Sequence, residues 1–69
     1  MGRSKEPTEI DVEVIGKTEK ALEVSDGDTK AWIPFSIIDE DSGITEDSEI
    51  GESGTLIIPE WKAMDAGFI

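Results

Sequence analysis

From Thr8 onward, apolar and acidic residues alternate: Ile10, Val12 and Val14 against Glu9, Asp11 and Glu13. A period of two places the three branched side chains on one side of an extended chain and the carboxylates on the other, so the pattern predicts a strand with one buried face. Gly16-Lys17 interrupts the alternation and predicts the strand's end. Leu22 and Val24 alternate with Ala21 and Glu23 in a second strand. Ser25-Asp26-Gly27-Asp28 has turn composition, and Lys30–Phe35 follows as a third strand, so residues 20–35 are expected to form a β-hairpin. Pro34 has no amide to donate to a ladder, which places it at a strand end or a sheet edge.

Phe35-Ser36-Ile37-Ile38 reads as a short turn that tucks apolar side chains beneath the sheet. Residues 39–53 hold two glycines and three serines among their acids and are expected to be an irregular acidic loop. Thr55–Ile58 is a further strand entered through Gly54. Residues 59–67 read as a closing helix: Pro59 suits the first helical position, Glu60 the positive end of the dipole, and Gly67 the terminator. Trp61 and Met64, three apart, are expected to pack one helix face on the core, with Phe68 and Ile69 folding back on it. With only four aromatics in the chain, Trp32 and Trp61 are both expected to be core or half-buried.

The fold expected is therefore mainly β: a small, strongly bent sheet, or an SH3-like or OB-like barrel, of four to five strands with a short C-terminal helix. Residues 1–7 read as a disordered leader and 8–69 as one small domain with the acidic loop at 39–53.

At 69 residues the chain buries only about 60% of the surface it exposes when unfolded, so its core is marginal and homodimerisation is a possible source of stability. It has no cysteine, hence no disulfide or thiolate metal site, and no histidine, hence neither the commonest general base nor the commonest metal ligand. No apolar run reaches the roughly 20 residues of a membrane span. The reading is a cytoplasmic chain with no membrane partner.

Charge changes the picture most. The net charge is −11, and between Lys30 and Lys62 there are eight carboxylates and no basic side chain. Seven of the eight are Asp39, Glu40, Asp41, Glu46, Asp47, Glu49 and Glu52. Acids this close repel one another, so the segment stays in water unless something positive meets it. These seven are the candidate partner-binding residues, and their partner is a basic surface of another protein. Trp32 and Phe35 form a secondary candidate surface. The overall field repels phosphates, so direct nucleic-acid binding is not expected, although the two aromatics suit base stacking.

Candidate chemistry is sparse. Asp39, Asp41 and Gly43 begin like an EF-hand loop, but Ile44 stands at the position of the turn glycine and Ile50 at that of the bidentate glutamate, so no metal is assigned. Pairs such as Glu40/Asp41 and Glu46/Asp47 need a desolvating pocket for acid–base work, and a flexible loop in so short a chain offers none. The serines have no histidine to activate them, and there is no glycine-rich phosphate loop. No cofactor and no enzymatic reaction are expected.

Two anchors carry a resemblance. The string Lys20-Ala21-Leu22-Glu23-Val24, Asp26-Gly27-Asp28, Ala31-Trp32-Ile33-Pro34 and Ser36, closing with Ile58-Pro59-Glu60-Trp61 and Ala63, resembles a group of short acidic phage and prophage proteins with a "WIPxS … IPEWxA" pattern. The likeness covers residues 18–69. The chain departs from the pattern at Phe35, where the group often has Lys or Arg, at Ile37, where Gln is frequent, and at Met64-Asp65-Ala66, which replaces a charged helix end. No activity of the group carries over. The resemblance implies a phage setting near replication, recombination or counter-defence.

Two expectations of function follow. In the first, the chain is a non-enzymatic acidic module of phage type whose loop docks on a basic protein surface. In its sharpest form the loop mimics nucleic acid and inhibits a host defence or nucleic-acid-processing enzyme, as an anti-CRISPR protein would. In the second it is a structural or scaffold phage protein that associates through a sheet edge or the Trp32/Phe35 surface.

Overall fold

The period-two stretches form strands. A computed structural model describes residues 6–69. Its elements are β1 (Pro7–Lys17), β2 (Ala21–Ser25), β3 (Lys30–Pro34), β4 (Ser53–Pro59) and α1 (Glu60–Ala66), with a 3₁₀ turn at Phe35–Ile37. The strands make one antiparallel sheet in the order β3-β2-β1-β4. The sheet does not close into a barrel, and among the described residues there is no fifth strand. The leader expected over residues 1–7 falls largely outside the described residues, while Pro7 already belongs to β1.

β1 runs through the expected stop at Gly16-Lys17. The register slips between Val14 and Gly16, and the strand then continues to pair, Gly16 with Glu23 and Lys17 with Leu22. A bulge of this kind lets one residue leave the ladder without ending it. The N-terminal half of β1 pairs with β4 and the C-terminal half with β2, the two spans meeting at Glu13.

One sheet face carries the core: Ile10, Val12, Val14, Leu22, Val24, Ile33, Leu56 and Ile58. Ile44 and Ala63 cover it, with Phe35, Ile37, Ile38 and Phe68 packed around them. The other face carries Glu9, Asp11, Glu13, Glu23 and Trp32 at the alternate positions. The closing helix approaches the core through Ala63, its one buried residue, because a small side chain allows the closest contact. Gly67 at φ 86° ends it, and the Phe68 amide donates back to the Ala63 carbonyl at 2.9 Å. Trp61 is half-buried, but Met64 points to water at 61% exposure. The expectation that these two share a core-facing stripe is thus corrected: Ala63 makes the contact and turns Met64 away. No helix among the described residues is long and apolar enough to cross a membrane.

Candidate acidic interface

The loop between the 3₁₀ turn and β4 is irregular but stapled. The Asp39 amide donates to the Ile57 carbonyl at 2.9 Å, and the Gly43 and Ile44 amides donate to the Thr55 carbonyl at 2.9 and 3.0 Å. The Ser42 hydroxyl accepts the Ile57 amide at 2.9 Å and donates to the Ile44 carbonyl at 2.6 Å. The first half of the loop thereby takes the place of a neighbouring strand along the outer edge of β4. The second half lies along β1. The Val14 amide donates to the Glu52 carbonyl and the Gly51 amide to the Val14 carbonyl, both at 2.8 Å, and the Lys17 ammonium donates to the Ser48 carbonyl at 3.1 Å. Thr45 and Ser48 cross-brace the loop through the Thr45 amide on the Ser48 hydroxyl at 2.9 Å and the Ser48 amide on the Thr45 carbonyl at 3.0 Å.

Ile44 anchors this arrangement. Its side chain is 0% exposed and sits in the core opposite Gly54. Any Cβ at Gly54 would stand 3.2 Å from Ile44 Cδ1, so the missing side chain makes the room that Ile44 fills. The repulsion among the acids does not hold the segment wholly in water: Ser42, Ile44 and Ser48 are buried while the carboxylates stay out.

Of the seven predicted acids, Asp39 is half-buried and the other six are exposed. Four of them converge. Asp39, Glu40, Glu46 and Asp47 rim a shallow depression of about 350 Å³ with Phe35 and Ile38 lining its apolar part. Asp41, Glu49 and Glu52 lie outside it. Among the described residues none of the seven has a cation within 4 Å, whereas Lys62 and Asp65 pair at 3.5 Å on the helix. The two aromatics expected to act together part company. Phe35 joins the acidic depression, and Trp32 lies on the opposite sheet face beside Glu23, at 46% exposure.

A second depression, about 480 Å³, opens on that opposite face and is lined by Asp11, Glu13 and Asp26 together with serine and threonine. The Thr55 hydroxyl donates to Asp11 Oδ1 at 3.3 Å. The Asp26 carboxylate accepts the Thr29 and Asp28 amides at 2.8 and 2.9 Å, and these bonds hold its pKa below the ordinary aspartate value. The outward acids of β1 were legible in the alternation, but nothing in the sequence marked them as one wall of a depression with the hairpin tip.

Asp39 Oδ1 accepts the Asp41 amide at 2.9 Å, and Ile44 turns inward, so the segment does not wrap around a centre as a calcium loop does. Among the described residues no three acids are placed to share an ion. Sequence reasoning missed Ser42, Ser48, Ile44 and Lys17, the residues that shape the loop. An isolated isoleucine in a polar stretch was the available signal, yet Ile50 sends the same signal and is 64% exposed. Comparison of the chain with family models, curated proteins and solved structures finds no match.

Proposed function

We propose that the chain is a non-enzymatic interaction module that binds a basic segment of another protein through its acidic loop. The observation that supports this reading is the depression rimmed by Asp39, Glu40, Glu46 and Asp47 over Phe35 and Ile38, with no cation within 4 Å of these acids among the described residues. Lys and Arg carry a charged tip on an apolar stem, and a carboxylate rim around an aromatic and an isoleucine suits both parts.

Magnitudes decide how such a partner must bind. An exposed ion pair contributes only about 0.2–1 kcal/mol, and micromolar affinity needs roughly 8 kcal/mol. Single pairs are too weak, so the partner engages several acids at once and places apolar atoms on Phe35. The long-range field of an ion of charge −11 accelerates the encounter and makes it salt-sensitive.

The finer form of the reading is phosphate mimicry against a host defence or nucleic-acid-processing enzyme in a phage setting. Carboxylates lining both depressions support it, and it predicts that duplex DNA competes with the chain for the same partner.

The test compares two fourfold amide variants of equal charge. One is Asp39→Asn, Glu40→Gln, Glu46→Gln and Asp47→Asn. The other, with all four changes outside both depressions, is Glu9→Gln, Glu19→Gln, Asp28→Asn and Asp65→Asn. Neutralising four acids moves the net charge from −11 to −7 in each. Binding of a fluorescent octa-arginine peptide is followed by anisotropy at low and moderate salt. The loop variant is expected to lose at least tenfold more affinity than the control. Equal losses would mean that only total charge matters and that the depression is not the seat.

A further inference from the structure

The sheet has two edges, and the fold treats them differently. The β4 edge is occupied by the loop through the bonds at Thr55 and Ile57. Among the described residues no backbone group hydrogen-bonds along the β3 edge, and no strand pairs with it. Within the β2–β3 hairpin the Phe35 amide donates to the Lys20 carbonyl and the Asp26 amide to the Thr29 carbonyl. In an antiparallel ladder bonded pairs alternate with unbonded ones. Phe35, Ile33, Ala31 and Thr29 therefore face β2, and Lys30, Trp32 and Pro34 turn their backbone groups outward. The amides of Lys30 and Trp32 and the carbonyls of Lys30, Trp32 and Pro34 form a short open ladder.

The side chains beside that ladder select what fits it. Trp32 Cη2 and Glu23 Oε1 lie 3.3 and 3.0 Å from the point where a Gly16 Cβ would stand, so the indole and the carboxylate close over the same glycine. An exposed aromatic next to a carboxylate is a seat for an ammonium or guanidinium group. Two features disfavour a second copy of this chain. Each copy carries −11, and two-fold pairing about Trp32 would set Lys30 against Pro34 twice, losing a hydrogen bond at each proline. A different strand meets Pro34 only once.

We infer that the β3 edge accepts an extended segment of a partner protein by strand addition, with a Lys or Arg of that segment seated on Trp32 and Glu23. This surface is separate from the acidic loop, and the inference shares with the proposed function only the expectation of a basic partner.

The probe is an acetylated, amidated pentapeptide of alternating lysine and valine, lysine at both ends, expected to bind with a dissociation constant on the order of 0.1–1 mM. Amide hydrogen exchange and chemical shifts are read by NMR. On binding, the Lys30 and Trp32 amides should slow in exchange. N-methylation of the peptide's ladder-facing amides should weaken binding about tenfold, as expected for two lost hydrogen bonds. Trp32→Ala and Glu23→Gln should each weaken it roughly threefold without unfolding the chain, since both side chains lie on the outer face. The loop variant described above should leave protection at Lys30 and Trp32 intact, which separates a failure here from a failure of the loop reading. Absence of binding at 5–10 times that concentration, N-methylation without effect, shifts confined to the loop, or dimerisation of the free chain through β3 would each overturn the inference.

Discussion

Replacing Ile44 with alanine tests whether one buried side chain holds the acidic loop in place. Its side chain has no exposure, and the substitution deletes three carbons. At about 0.8 kcal/mol per buried methylene the transfer term is roughly 2.4 kcal/mol, and the cavity left behind raises the loss to about 3–4 kcal/mol. A domain of this size has a total stability of roughly 3–10 kcal/mol, so the variant is expected to be severely destabilised, with Tm lower by about 12–30 °C. Urea unfolding followed by tryptophan fluorescence measures the loss. Hydrogen exchange under native conditions locates it: the Gly43 and Ile44 amides, now bonded to Thr55, should exchange faster than the β1–β2 amides. Gly54→Ala supplies a second axis. In the wild-type background its methyl meets Ile44 Cδ1 at 3.2 Å and should destabilise, whereas in Ile44→Ala the vacated space accepts it, so the two changes should couple favourably. A loss below about 1 kcal/mol for Ile44→Ala, with Gly43 and Ile44 protected as before, would refute the claim that the loop is pinned from within.

Two further outcomes follow from the loop and the hairpin tip. Ser42→Ala removes the acceptor of the Ile57 amide and is expected to cost about 1–3 kcal/mol in urea titrations, with faster exchange at Ile57; an unchanged midpoint would show that the edge is satisfied some other way. Asp26 has a folded-state pKa below its unfolded value, so its stabilising contribution is complete above about pH 4 and disappears as pH falls through the lower folded value. The stability gap between the wild type and Asp26→Asn should therefore be constant near neutrality and narrow below about pH 4; a gap that narrows on raising the pH would contradict the assignment.

What the sequence determined by itself is local and periodic. Alternation in Ile10–Val14 and Leu22–Val24, the Asp26-Gly27 turn and the Pro59–Gly67 helix signals each depend on neighbours within a few residues, and a strand, turn or helix stands at each, although Pro59 is the extended cap that closes β4 rather than the first helical residue. The density of acids after Ile38 was equally plain. What the tertiary structure alone decided involves residues far apart in the chain. Gly16 did not end β1, because pairing with Glu23 resumes after the bulge and outweighs the local break. Ile44 rather than Ile50 entered the core because Gly54, ten residues on, leaves a gap of the right size beside it. Trp32 went outward because its register with Glu23 puts it on the polar face, where a bare Gly16 lets it lie flat. Burial is assigned by strand register and by space across the sheet, and neither quantity is written in any short window of the chain.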